Sequence, residues 1–290
     1  MTTPPARRPS IRSVVRDALR EVPGAIRAVR AVRGVEHWIT LRVAHRRNYL
    51  FTKFCRLPTQ LDVVATDVID FLGVDESRSE IRIIVFGCSI GAEPYSIASV
   101  LRSRRPGLPF QMECFDIEPS VIARARAAVY TTADLATRPP LTPAFMASTF
   151  DQADGGVVVK RSISGSVRFD QGNVLDSSLI ERLAPADIVV AQNFLYHLTR
   201  RDAERAFEHL FSLVKPRGAL LVDGADLDMR SRLTKAAGLR PCTTALERIH
   251  DESRVERGYA WPRVYWGLEP FNPRRSDAPR RFATIFLSER

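Results

Sequence analysis

The sequence predicts an α/β fold: a doubly wound, seven-stranded, Rossmann-like sheet preceded by a helical N-terminal extension. Three observations predict it. Short β-branched runs recur along residues 81–287, continuous enough for strands buried on both faces. Between them lie segments with apolar residues at helical spacing, joined by short links, which is the pattern of parallel strands with crossover helices. Residues 1–75 show only the helical period, so they read as one basic helical region and residues 76–290 as the sheet domain.

Residues 1–9 are polar and proline-rich and are expected to be disordered. Ile11, Val14, Val15, Ala18, Leu19 and Val22 form one apolar stripe, with Arg12, Arg16 and Arg20 opposite. Pro23-Gly24 ends it, and a second stripe runs through Ile26, Val29, Val32 and Val35. Leu61, Val64, Ala65, Val68, Ile69 and Leu72 predict a third helix, stopped by Gly73. Ile81–Phe86 is the first strand, 93–102 a helix and Gln111–Ile117 the second strand. Pro119 suits a first helical position ahead of Val121–Ala128. Val167–Phe169, Ala186–Gln192 and Gly218–Val222 supply three more strands, with helices near Ser178–Leu183 and Arg201–Val214. Thr244–Ile249 and Phe282–Leu287 read as the last two strands.

Charge divides the chain. Residues 1–56 hold thirteen basic side chains and three acidic ones, so the net charge of +10 sits there and the remainder is neutral. A basic arm fits nucleic acid, an anionic lipid surface or an anionic partner. No helix-turn-helix, zinc finger or aromatic RNA signature accompanies it, so a nucleic-acid module is the least favoured reading. The arm is instead expected to cover the cleft of the sheet domain with its arginines outward. No run of about 18 apolar residues predicts a membrane span, and no signal peptide is read at the start. Cys55, Cys88, Cys114 and Cys242 have neither disulfide nor zinc spacing, which points to a reducing cytoplasm and no metal.

Ligands of open parallel sheets bind at the carboxyl ends of the strands. The first strand runs into Gly87-Cys88-Ser89-Ile90-Gly91-Ala92-Glu93. Its G-x-x-x-G spacing is neither the dinucleotide fingerprint nor a triphosphate loop, and an acid just behind it suits a ligand bearing an amino group. Asp116, closing the second strand 25 residues after Gly91, is placed to accept ribose hydroxyls, with Ile117 beside it. Asn173, with Val174, follows the third strand, and an amide can read an adenine edge. Gln192-Asn193 closes the fourth strand ahead of Tyr196 and His197.

These segments resemble one family. Residues 87–96, Gly-Cys-Ser-Ile-Gly-Ala-Glu-Pro-Tyr-Ser, look like the S-adenosylmethionine loop of the CheR-type chemotaxis receptor glutamate methyltransferases. Thr52 to Arg56 resembles that family's Thr-x-Phe-Phe-Arg. Phe115-Asp116-Ile117 with Ala127 and Tyr130, then Phe169 with Asn173-Val174-Leu175, resemble its second-strand and adenine-side blocks. Asn193 to Leu198 resembles its Arg-Asn-Val-Leu-Ile-Tyr-Phe block, and the region near 150–169 its small β insertion. The resemblance covers residues 48–223 and implies a class I methyltransferase fold with S-adenosyl-L-methionine as cofactor. It implies that Gly87, Ser89, Gly91 and Glu93 hold the methionine end, Asp116 and Ile117 the nucleoside, Asn173 and Val174 the adenine, with Asn193 in the cleft. Arg56 stands where the family has its active-site arginine.

Three departures lie in the acceptor half. Cys55 replaces a Phe, Gln192 replaces the Arg before Asn193, and His197 stands where the family has Tyr, with Tyr196 one place earlier. Arg56, His197 and Tyr196 are therefore the candidate catalytic residues. An aromatic segment with Tyr259, Trp261, Tyr265 and Trp266, in a loop near 255–280, is expected to line the substrate mouth. On these departures the first expectation is a methyltransferase for a small molecule bearing a carboxylate or amine. The alternatives are protein glutamate methylation of the chemotaxis type, and intramolecular cyclisation or elimination of the cofactor's aminobutyrate chain releasing methylthioadenosine. The sequence sets no oligomeric state.

Overall fold

The computed structural model describes residues 52–73, 80–137, 139–257 and 269–290. All of them lie in the unit Asn48–Arg290. The expected helices within residues 1–47, the covering role of the basic arm, and Tyr259, Trp261, Tyr265 and Trp266 fall outside the described residues.

The first described helix is α1 (Pro58–Val63), continued by a π-helical stretch, Val64–Val68, and by α2 (Ile69–Leu72). Gly73 ends it in the left-handed conformation (φ 64°), its N–H donating to Asp70 O at 3.0 Å. Leu61, Val64, Ala65, Val68, Ile69 and Leu72 are buried, as their spacing predicts. They join Phe54 in the core under the sheet, so residues 52–72 are part of the sheet domain's own packing.

The main sheet follows. β1 (Ile81–Phe86) leads through α3 (Ala92–Arg104) to β2 (Phe110–Asp116) and then α4 (Pro119–Ala127). An antiparallel insertion comes next: β3 (Val129–Tyr130), α5 (Pro143–Thr149), β4 (Phe150–Ala153) and β5 (Gly156–Val159), in sheet order β3-β5-β4. After α6 (Arg161–Ser164) the chain returns to the main sheet with β6 (Val167–Gln171), α7 (Ser177–Arg182) and β7 (Ala186–Gln192). It continues through α8 (Arg200–Ser212), β8 (Val214–Asp223), α9 (Leu227–Ala236) and β9 (Arg240–Pro241). It closes with α10 (Leu246–Arg257), α11 (Ala278–Phe282) and β10 (Ile285–Leu287).

The seven strands lie in the order β6-β2-β1-β7-β8-β10-β9. Pairs β6-β2, β2-β1, β1-β7 and β7-β8 are parallel, and β10 is antiparallel to β8 and β9. The winding reverses between β1 and β7, which opens a crevice at their carboxyl ends. Side chains of a strand alternate between faces, and β1 shows it: Ile81, Ile83 and Val85 enter one core with α1 to α4, Ile84 and Phe86 the other with α8.

Two expectations are corrected. Thr244–Ile249 is not a strand. Leu246, Ile249, His250 and Ser253 recur at helical spacing, and the segment forms the start of α10; the sixth strand is the two-residue β9. The last strand begins at Ile285 rather than Phe282, because Pro279 starts the short helix α11. Among the described residues no helix is long and apolar enough to cross a membrane.

Candidate active site

The loop after β1 is built to bring backbone close to a ligand. Gly87, Ser89 and Gly91 all have positive φ (73°, 49° and 89°). Gly87 and Cys88 N–H groups both donate to Phe115 O, at 2.8 and 3.2 Å, which ties the loop to the end of β2. A Cβ on Gly87 would sit 2.6 Å from the Phe194 ring. One on Gly91 would meet Phe169, Tyr130 and Tyr95 at 3.1 Å each. Neither site admits a side chain without movement, so these glycines serve packing as well as turn geometry. Tyr130 Oη donates to Ile90 O at 2.6 Å and pins the loop's centre from the small sheet.

Asp116 closes β2, and its carboxylate accepts from Ser89 N at 2.8 Å and Glu118 N at 3.1 Å. A carboxylate offers about four lone-pair positions, so acceptor capacity remains. Ile117, next along, is 54% exposed, unusual for a large apolar side chain in this domain. Asn173 is exposed, and its Oδ1 accepts from Leu175 N at 3.0 Å in an Asx turn. Val174 is buried in the core, where its carbonyl accepts from His209 Nδ1 at 2.7 Å. Asn193 is left-handed (φ 60°), and its N–H donates to Asp223 O at 3.1 Å. Tyr196 and His197 lie on a 3₁₀ turn, Leu195–His197, with ring centroids 4.1 Å apart; Tyr196 is half-buried and His197 exposed.

Arg56 is half-buried and borders two spaces. One is a small cavity lined also by Lys53, Gln60, Glu93, Ser96 and Gln192. The other is a groove of about 810 Å³ between α1 and α10, whose lining includes Pro58, Leu246, Glu247, Asp251 and Phe271. Burial pushes the Glu93 carboxyl up from 4.5 to about 7; Arg56 opposes this and the negative charge of Asp223 adds to it. Glu93, Arg56 and Asp223 are thus close enough to feel one another.

Sequence reasoning missed the polar groups behind this cleft. Asp223, 3% exposed, ends β8 and takes Arg230 Nη1 at 3.2 Å and Ser253 Oγ at 2.8 Å. Arg230 also donates to Val222 O and Arg281 O, and Arg281 pairs with Glu269 and Asp228. The signal was present: Asp223 is an acid closing a strand, as Asp116 is. Cys88 is 1% exposed and burial raises its thiol well above the usual range, which fits packing rather than nucleophilic chemistry.

A nucleoside with an aminoacyl tail fits the residues present. Ser89 Oγ in the loop and Gln192 Oε1 in the cavity are buried with no hydrogen-bond partner, and Ile117 stands exposed beside the strand-end carboxylate. Strand order, reversed last strand, β1 loop and strand-end acid together define the class I S-adenosylmethionine-dependent methyltransferase architecture.

The chain belongs to the CheR methyltransferase family: the model of its SAM-binding domain matches residues 50–238. It is similar to the probable biofilm formation methyltransferase WspC of Pseudomonas putida, 30% identical over 192 residues, which is 66% of this chain and 43% of that protein. The corresponding protein of Pseudomonas aeruginosa is 29% identical over 223 residues, 76% of this chain and 51% of that one. Chemotaxis protein methyltransferase 2 of Vibrio cholerae is 26% identical over 174 residues, 59% and 60%. The chain spans about half the length of the WspC proteins it matches.

Proposed function

We propose that the chain transfers a methyl group from S-adenosylmethionine to a glutamyl carboxylate of a protein. The observation that carries this is the position of Arg56, bordering both the cavity beside Glu93 and the open groove between α1 and α10. A carboxylate acceptor is ionised at neutral pH and needs no general base. It needs a partner that fixes both oxygens, and a guanidinium supplies that by a bidentate pair. His197 lies exposed on its turn, and this reaction gives it no proton to remove. When bound, the cofactor supplies a methyl group on a sulfonium for in-line displacement. Glu93 would then hold the ammonium of its tail, Asp116 the ribose hydroxyls, and the loop from Gly87 to Gly91 the chain between them. Alignment of acceptor and donor is the main catalytic contribution of the protein.

The small-molecule acceptor expected from the sequence rested on the departures at Cys55, Gln192 and His197 and on Tyr259, Trp261, Tyr265 and Trp266, the last four of which lie outside the described residues. The relatives named above carry biofilm-formation and chemotaxis names, which favours a protein acceptor. The test is incubation of the full chain with methyl-labelled S-adenosylmethionine and a bacterial lysate. The proposal predicts label in protein that mild alkali releases as methanol. Label confined to metabolites, or alkali-stable in protein, would refute it, and methylthioadenosine without any acceptor would point to the intramolecular reaction.

A further inference from the structure

Cys55, the residue before Arg56, has φ 48°, a left-handed backbone that a residue with a side chain enters only under strain. Such a conformation persists where the surroundings fix it from both sides. On one side Cys55 N donates to Ser96 Oγ at 2.9 Å, and Ser96 belongs to α3, the helix that carries Glu93. On the other side the chain passes through buried Leu57 and through Pro58, whose ring fixes φ, to Thr59.

Thr59 is in turn held from a distant part of the chain. α1 has no side-chain cap from its own N-cap residue, Leu57. Pro58 has no N–H, so the first N–H of the helix that needs a partner is that of Thr59. Glu252 of α10, 193 positions on, supplies the partner: its Oε2 accepts from Thr59 N at 3.1 Å and its Oε1 from Thr59 Oγ1 at 2.5 Å. One carboxylate thus fixes both the backbone and the hydroxyl of a buried residue, through bonds to an ionised acceptor, which are the strong kind. Arg248 reaches the same carboxylate at 3.4 Å but is mostly exposed, so it adds little. Glu252 and Arg56 border the same groove. We infer that Glu252 is a positioning residue for the acceptor site: through Thr59 it sets the backbone from which Arg56 meets the acceptor carboxylate. Glu252 lies beyond the matched residues 50–238, so the C-terminal segment completes the acceptor side.

The inference rests on the role given to Arg56 above. Transfer is measured with the full chain, saturating methyl-labelled S-adenosylmethionine and bacterial lysate protein, as methanol released by mild alkali; calorimetry measures S-adenosylhomocysteine binding. Glu252→Ala is expected to lower the transfer rate by about tenfold or more and to leave S-adenosylhomocysteine affinity within about twofold. Glu252→Gln keeps an oxygen for Thr59 N and offers an amide donor to Thr59 Oγ1, so it should stay within about threefold of the wild-type rate. Thr244→Val controls for packing. Thr244 Oγ1 donates to Asp67 Oδ1 at 2.6 Å and ties the start of α10 to the same helical run. Asp67 lies eight positions past Thr59, about 12 Å further from Arg56 along the helix, so this variant should keep the wild-type rate within about twofold. An unchanged rate in Glu252→Ala, equal losses in Glu252→Gln and Glu252→Ala, or an equal loss in Thr244→Val would overturn the inference. The second result would make charge rather than position the contribution of Glu252, and the third would make it general packing. If Glu252→Ala no longer binds S-adenosylhomocysteine, Thr59→Val decides: a lowered rate with binding intact supports the inference, and a wild-type rate overturns it. Wild-type protein that binds S-adenosylhomocysteine but yields no alkali-labile methyl would refute the acceptor reading itself, and this inference with it.

Discussion

The Glu93 carboxyl is expected to make cofactor binding pH-dependent. Its burial, with Asp223 adding repulsion against the opposing Arg56, moves it from 4.5 to about 7. Lys53 shares the cavity, and Gln60, Ser96 and Gln192 are the neutral polar groups there. Only the ionised carboxyl can pair with the tail ammonium, so affinity should rise with pH and level off above 7. With a midpoint of about 7, the ionised fraction is about one tenth at pH 6 and about nine tenths at pH 8. Affinity for S-adenosylhomocysteine should therefore fall about eight- to tenfold between pH 8 and pH 6. Calorimetry across that range measures it, with Glu93→Gln as control: weaker throughout and flat with pH. The stability sign is opposite. The native state of the unliganded protein holds this proton more tightly than the unfolded chain, so stability falls as pH rises from about 4.5 to about 7, by at most about 3–4 kcal/mol. Tight binding in wild type that is flat between pH 6 and pH 8, or a slope that survives in Glu93→Gln, would refute the reasoning.

The other predictions concern the same cleft. Arg56→Lys keeps the charge but loses the planar fork, and should cut methyl transfer by about tenfold or more while changing S-adenosylhomocysteine affinity little, measured by initial rates and calorimetry. Arg230→Met leaves Asp223 buried without its guanidinium and should cost about 3–5 kcal/mol in a denaturant melt; adding Asp223→Asn should recover part of that. Gly91→Ala meets a left-handed backbone and three aromatic side chains at 3.1 Å, and should cost about 1–3 kcal/mol in the same melt, together with cofactor affinity.

Local chemistry decided what could be read before the structure. β1 and β7 match their predicted ranges because parallel strands buried on both faces are continuous apolar runs with sharp ends. Pro119 and Gly73 marked helix ends through φ restriction and φ freedom, both local properties. Thr244–Ile249 misled because a six-residue window holds less than two helical turns, too few to separate the two periods. In the site, residues on short contiguous motifs were legible: the Gly87–Glu93 loop and Asp116 come together as their positions imply. The groups behind them were not. Gln60 meets Gln192 across 132 positions, and Ser253 meets Asp223 across 30. Those pairings arise only when α1 packs against the end of β7 and α10 against the end of β8, and no local spacing announces them.

The central claim is that the methyl group goes to a carboxylate positioned by Arg56. Residue-level mass spectrometry of protein methylated by the full chain, compared with protein incubated with Arg56→Ala, tests it most directly. The account predicts methyl esters on glutamyl side chains, lost on mild alkaline treatment and absent with the variant. Methylation of lysine, arginine or hydroxyl side chains, or glutamyl esters formed equally well by Arg56→Ala, would contradict it.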